Sequence, residues 1–426
     1  MNGFFSGYIN LLKTAMGSGI LTFPSIFSTY GVVPAFILTL FSACFSASGL
    51  LLYMFCSKKY DRSSSISMLC SENFPKLKFL VDFGIFIKCF GVGTSYLIII
   101  RQLLPNVLQP VFGSNLLTQA NSSTAIYLAI IASVCYFRNL NNLKYTSTCG
   151  IIAIFIVILT SIYRLFTSPI QSPVLYTSFS SKWIEGLGKL VFAFTCHQNI
   201  FSVRNELPNN STRNLIRLIF ATILTAVIAY TTFGLSNYLL YSSSVTDNIL
   251  QRYSSDTLGI LIQFLYVIVM GFSYPLQIIP ARMYFCYMFM PKYNNNMEYV
   301  STRTDYRNTN LDIASISNTN QITNTNLPTS HTTTTLSETI INGIVTTFLI
   351  IATYLIVSQD IKLGIVYTII GATASTLMCL ILPALFYLRS NDNRRNIYSF
   401  LSYFIFVVGI GIFCITIIDL LVVKNK

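Results

Sequence analysis

Apolar residues along this chain neither alternate nor form narrow helical stripes; they gather into long runs bounded by polar or turn-forming clusters. The runs lie at about 4–27, 32–55, 82–104, 123–139, 150–168, 188–207, 215–240, 257–280, 338–357, 364–388 and 399–421. A helix needs about 20 apolar residues to cross a ~30 Å hydrocarbon core, so the pattern predicts an all-α polytopic membrane protein with eleven transmembrane helices. The sixth run is the weak one, because Thr195, His197, Gln198 and Asn199 interrupt it after about nine apolar positions.

The charge of the loops tests that sixth run. Lys and Arg accumulate in short cytoplasmic loops, and eleven crossings with a cytoplasmic N-terminus place 17 of them inside against 6 outside. Without the sixth crossing every later loop changes side and the count becomes 11 against 13. The bias survives only if the weak segment crosses, which puts the C-terminus on the side opposite the N-terminus.

Composition agrees with the pattern and removes other classes. Apolar residues make up 53% of the 426 and charged ones 10%, against about 25% charged in soluble domains. The net charge of +13 is scattered between apolar runs, which is not the single basic face of a nucleic-acid binder. Most of the ten cysteines, Cys44, Cys89, Cys135, Cys196, Cys379 and Cys414 among them, sit inside apolar runs and read as small buried side chains. No second His or paired acid stands at ligand spacing from His197, so neither a metal site nor an enzyme is expected, and no cofactor. No Lys or Arg precedes Lys13 and the first run is too long for a signal core, so no cleaved signal peptide is expected. Residues 292–337 differ in kind: 25 of these 46 are Asn, Thr or Ser. Such a stretch buries too little apolar surface to offset the entropy of ordering it, and reads as a disordered cytoplasmic linker.

Two runs carry the chemistry. Asn10 to Pro24, NLLKTAMGSGILTFP, places Gly17, Ser18 and Gly19 mid-span, and Phe192 to Leu207, FAFTCHQNIFSVRNEL, has a polar middle. A break at membrane depth is tolerated only where it faces protein or a watery cavity. Interrupted helices at the first position of each half of an inverted repeat are the best sequence pointer to a carrier's central site. One half-helix exposes N–H groups that attract a carboxylate, and another exposes carbonyls that attract a cation. A zwitterion needs both, and an α-amino acid fits.

At these residues the chain resembles the amino acid/auxin permease family. NLLKTAMGSGIL from Asn10 and FTCHQNIFSVRNEL from Phe194 look like that family's helix 1 and helix 6 signatures, and the second is closest to fungal vacuolar amino acid transporters and neutral amino acid transporters. GVGTSYLIIIRQLLP from Gly91, YPLQIIPAR from Tyr274 and the segment from Gly371 to Leu388 resemble its helices 3, 8 and 10. The resemblance implies one transporter domain over the whole chain. Helices 1–5 at 4–168 and 6–10 at 188–388 form a five-plus-five inverted repeat with helices 1 and 6 broken, and an eleventh follows at 399–421.

It further implies secondary active transport of amino acids, of the neutral kind, by alternating access. Thr14, Met16, Gly17, Ser18, Gly19, Thr195, Cys196, His197 and Asn199 are the candidate substrate-binding residues. Lys13 stands where sodium-coupled members carry an Asn, and residues 167–187 lack the cysteines of those members, so a proton is the expected coupling ion over sodium. Lys13 either replaces a cation or snorkels to the interface. Ser273 matches the hydroxyl that helix 8 gives to the family's cation site, or bonds its own helix. His197 either carries a proton or braces the unwound turn. Lys88 and Arg101, in the third run, read as interface charges, and Asn121 as a glycosylation acceptor in an outer loop. The membrane is vacuolar or plasma. A different class of protein, an amino acid-sensing receptor that binds without net transport, would use the same broken helices.

Overall fold

The computed structural model describes residues 3–60, 65–136, 144–170, 174–178, 180, 183–207, 212–253, 256–289, 336–390 and 396–423. All regular structure among them is helical. Eight segments are long and apolar enough to cross a membrane, and the protein is a multi-pass integral membrane protein. Residues 292–335 of the Asn/Thr-rich linker lie outside the described residues; Leu336 and Ser337 already begin a helix.

The first apolar run is three pieces: α1 (Gly3–Met16), a 3₁₀ turn (Ser18–Thr22) and α2 (Phe23–Tyr30). Gly17 leaves the helix with ψ −129°, and Pro24 sits in the first turn of α2, where its missing N–H is no loss. Next come α3 (Val32–Ser57), the short α4 (Ile66–Asn73), α5 (Lys78–Phe112), α6 (Ala120–Cys135) and α7 (Lys144–Thr167). The sixth run is again divided, into α8 (Trp183–Ala193), a 3₁₀ turn (His197–Asn199) and α9 (Ile200–Glu206). The remainder is α10 (Thr212–Tyr241), α11 (Thr257–Ser273), α12 (Pro275–Phe289), α13 (Leu336–Ser358), α14 (Leu363–Ile370), two π-helical turns (Gly371–Ser375 and Leu377–Ile381), α15 (Leu382–Ser390) and α16 (Ile397–Val423).

Burial places the centre. The best apolar window in the segment of α5 is 72% buried and that from α14 to α15 is 78% buried, whereas that of α16 is 22% buried. Hence α5 and the π-containing helix flank the core, and α16 is an outer addition. The broken pieces pair half with half, α1 against α9 and α2 against α8, with α10 beside α1 and α2. Close approach requires glycine where α8 meets the π turn: a methyl on Gly371 would stand 1.8 Å from the Gly188 carbonyl oxygen.

Three sequence expectations change. The fourth run, expected at 123–139, starts earlier, in the 16-residue α6 at Ala120, about 24 Å long at 1.5 Å per residue; its residues 137–139 lie outside the described residues. Asn121 lies in the first turn of that helix, not in a loop, and its Oδ1 accepts from Arg101 Nε at 2.9 Å. Lys88 is not at an interface: it is 3% exposed and faces the centre of the molecule. Arg101, by contrast, pairs with the exposed Asp360 at a helix end.

Candidate functional site

The two breaks face one another. A narrow cavity with about 20 Å³ of free room, part of it open to solvent, lies between them and is lined by Thr14, Gly17, Ser18 and Gly19 from the first break and by Thr195 and Gln198 from the second. The residue types explain the breaks. Gly17 and Gly19 weaken helix continuity, and the side chains of Thr195, Gln198 and Asn199 supply polar groups that lipid would penalise.

Each half-helix end contributes differently. Before the first break, the α1 end presents carbonyls; after it, the 3₁₀ turn beginning at Ser18 presents N–H groups that a helix start leaves without internal partners. The freed carbonyls are satisfied by side chains from the surrounding helices, three of them tyrosines. Tyr230 of α10 donates to Ala15 and lies equally near Ala193. Tyr266 of α11 reaches the Gly17 oxygen at 3.5 Å, and Tyr367 of α14 donates to the Ser18 oxygen at 3.2 Å. In the second break, Ser46 donates to the Phe194 oxygen at 2.9 Å, and Lys88 approaches the Thr195 oxygen at 3.4 Å. Such orphaned groups are costly in a membrane, so these side chains keep the two segments unwound.

The predicted site residues divide into two sets. Thr14, Gly17, Ser18, Gly19 and Thr195 line the cavity. Asn199 lies just off it and ties the breaks together, donating to Thr14 Oγ1 at 2.5 Å and to Asn10 Oδ1 at 3.3 Å. His197 points away, toward α3, with Nε2 3.1 Å from the Ser46 carbonyl and its ring edge on Tyr53. Met16 and Cys196 are fully buried and are not among the cavity-lining residues. Lys13 projects toward α7 and α11: a methyl on Gly150 would meet Lys13 Cε at 3.2 Å and Val269 Cγ1 at 3.6 Å. Ser273 returns its hydroxyl to the Val269 carbonyl at 2.7 Å.

Lys88, Tyr96, Gln198 and Gln277 also line the cavity and were not singled out as ligands from sequence. For Lys88 a signal existed, since an ionisable side chain ten residues into an apolar helix marks a functional position by default. Tyr96 and Gln277 carried none. Lys88, Val92 and Tyr96 repeat every four residues and form the α5 face of the cavity.

Comparison with known proteins gives the same picture. A family model described as "Transmembrane amino acid transporter protein" matches residues 2–422. The chain is 29% identical to vacuolar amino acid transporter 5 of Saccharomyces cerevisiae, with 96% of this chain and 95% of the relative covered. It is 31% identical to vacuolar amino acid transporter 5 of Schizosaccharomyces pombe over 66% of this chain and 68% of that one. Its fold is similar to the crystal structure of MhsT in complex with L-phenylalanine, with a TM-score of 0.56 at 10% identity, covering 97% of both chains. Two broken helices around a polar cavity and a family match over nearly the whole length lead to one assignment: the chain belongs to the transmembrane amino acid transporter family.

Proposed function

We propose that this protein is a secondary active transporter of amino acids, of the neutral kind, and that it works by alternating access. The observation that carries the reading is the meeting of two broken spans, with half-helix ends of opposite polarity, around one cavity. The substrate carboxylate takes the N–H groups at Ser18 and Gly19, and its ammonium group the carbonyl side of the breaks. Thr14, Thr195 and Gln198 complete the polar lining; Asn199 holds the two breaks in register on the side of α1 and α9. Met16, Cys196 and His197 act from behind the lining, His197 as a brace between the second break and α3.

The whole chain is one transport unit of eleven crossings. Helices 1–5 and 6–10 form the inverted repeat, the linker at 292–337 lies within the second half, and the eleventh helix is peripheral. The N-terminus is cytoplasmic and the C-terminus opposite, as the loop charges favour. The broken spans move against the helices α5, α6, α11 with α12, and α13. The membrane is vacuolar, the location in the names of the yeast relatives.

Proton coupling is proposed over sodium. Two observations support it: the Tyr230 hydroxyl occupies the point where two half-helix carbonyl ends converge, and the buried Lys13 ammonium lies between α1, Gly150 of α7 and Val269 of α11. The first puts a protein hydrogen-bond donor where half-helix carbonyls would otherwise hold a cation, and the second puts a protein charge one turn before the first break. The experiment is uptake of radiolabelled amino acids into proteoliposomes under a pH gradient, with choline replacing sodium. Accumulation that a protonophore abolishes is expected; binding without accumulation under any gradient would mean a receptor and not a carrier.

A further inference from the structure

The cavity contains a buried lysine that has no carboxylate partner among the described residues. Lys88 is 3% exposed, and its ammonium donates to the side-chain oxygen of Gln198 and approaches the Thr195 carbonyl. The other titratable groups that act on it or feel it are the thiols of Cys89, Cys196 and Cys379 and the ring of His197. Among the described residues the ion pairs are Arg101–Asp360, Arg164–Asp256 and Lys189–Asp247, and none includes Lys88. A buried charge without an opposite one is costly, and dipolar partners offset only part of that cost. An ammonium has three N–H donors, and two directions are taken by Gln198 and Thr195.

The α-carboxylate of a bound amino acid already has its place at the amide end of the first break. The α5 wall, where Lys88, Val92 and Tyr96 line up, is left for the side chain. A side-chain carboxylate there supplies the missing negative charge and takes the remaining donor. A side-chain ammonium or guanidinium would add a further positive charge to a weakly screened cavity that already receives the α-ammonium beside Lys88. An uncharged side chain leaves Lys88 as it is.

We propose that Lys88 is the selectivity residue of this cavity, receiving the side-chain carboxylate of an acidic amino acid and rejecting cationic ones. The inference rests on the transport reading above and changes its preferred substrate from neutral to acidic amino acids.

Glutamate and glutamine are nearly isosteric, so their ratio isolates the charge. The full-length protein in proteoliposomes is expected to take up L-glutamate with at least tenfold higher efficiency than L-glutamine, and excess L-lysine or L-arginine should not compete. Lys88→Gln should lower the glutamate-to-glutamine ratio tenfold or more, and Lys88→Arg should retain most of it. Equal loss of both substrates in Lys88→Gln, with the ratio kept, would overturn the proposal and make Lys88 a positioning residue for the second break. Competition by lysine, or a native preference for glutamine, would overturn it without any variant, which covers the case in which Lys88→Gln does not fold. Accumulation of glutamine without acidic preference defeats this inference alone, whereas no accumulation of any amino acid defeats the transport reading and this inference with it.

Discussion

The phenolic oxygen of Tyr230 stands 2.5 Å from the carbonyl oxygen of Ala15, in the last turn of α1 before its break. The same oxygen is 2.6 Å from the carbonyl of Ala193, the last residue of α8. A phenol has one proton, so two carbonyls at the negative ends of two half-helices share a single donor. In carriers with broken helices, such ends hold the coupling cation.

Tyr230→Phe therefore tests whether the hydroxyl replaces a cation. The ring can stay where it is, stacked on Phe23 at 4.1 Å between centroids, while both carbonyls lose their donor. Leaving buried acceptors unpaired costs about 1–3 kcal/mol, and thermal melting of the purified variant should fall accordingly. Sodium should restore part of the loss relative to choline at equal ionic strength. Identical melting of variant and native protein in both salts would remove the hydroxyl from any role in holding the breaks.

Asn199 joins the breaks by donating to Thr14 at 2.5 Å, a contact between α1 and the 3₁₀ turn of the sixth span. If that contact positions the site, Asn199→Ala and Thr14→Val should each lower uptake about tenfold, and the double variant should be hardly worse than either. Coupling between touching side chains in such a cycle amounts to about 0.5–3 kcal/mol. Fully additive losses would show that the two residues act independently.

What could be read without coordinates, and what could not, follows from the reach of each signal. The breaks were visible because glycine spacing and a run of polar residues are local properties of the backbone they disrupt. Thr14, Gly17, Ser18, Gly19 and Thr195 could be named on that basis. Tyr230, Tyr266 and Tyr367 could not, since a tyrosine inside an apolar run has the same sequence appearance whether its hydroxyl meets a carbonyl or a lipid headgroup. Lys88 reads as an interface charge because distance along a helix does not say which face points inward. Asn121 was placed in a loop because a sequon marks acceptor chemistry and not conformation; the helix begins one residue earlier. His197 reads from type and motif as a proton carrier or a brace of the unwound turn, while its contact with Ser46 depends on how α3 packs.

Gly371 and Gly343 should respond oppositely to alanine. At Gly371 the added methyl would meet the Gly188 carbonyl oxygen at 1.8 Å, a backbone atom that cannot rotate aside, whereas at Gly343 nothing lies within 4 Å. Gly343→Ala should stabilise α13 by up to about 0.5–1 kcal/mol through helix propensity alone. Gly371→Ala should separate α8 from the π turn, lowering the melting temperature and abolishing uptake. Size-exclusion profiles after a heat step, read beside transport, check both signs, and a tolerated Gly371→Ala would mean that these helices can move apart freely.

Lys13 isolates the coupling question. Its Nζ is out of solvent and has no hydrogen-bond partner among the described residues, and the hydroxyl of Ser273 is spent on the Val269 carbonyl. The ammonium end lies between α1, Gly150 of α7 and Val269 of α11. A charge held without a partner at that depth destabilises the resting protein, so its retention points to work done during the cycle. Lys13→Met keeps the length of the side chain and removes the charge. The variant should melt at a higher temperature than the native protein, because an uncompensated buried charge is removed. Uphill uptake driven by a pH gradient should fall to the level of exchange, while counterflow between equal pools continues, because substrate binding at the breaks is untouched. Lys13→Asn, which substitutes a cation ligand for a cation, should in addition make uptake respond to sodium. Gradient-driven accumulation by Lys13→Met at the native level would take this lysine out of coupling altogether and leave its burial as a packing matter.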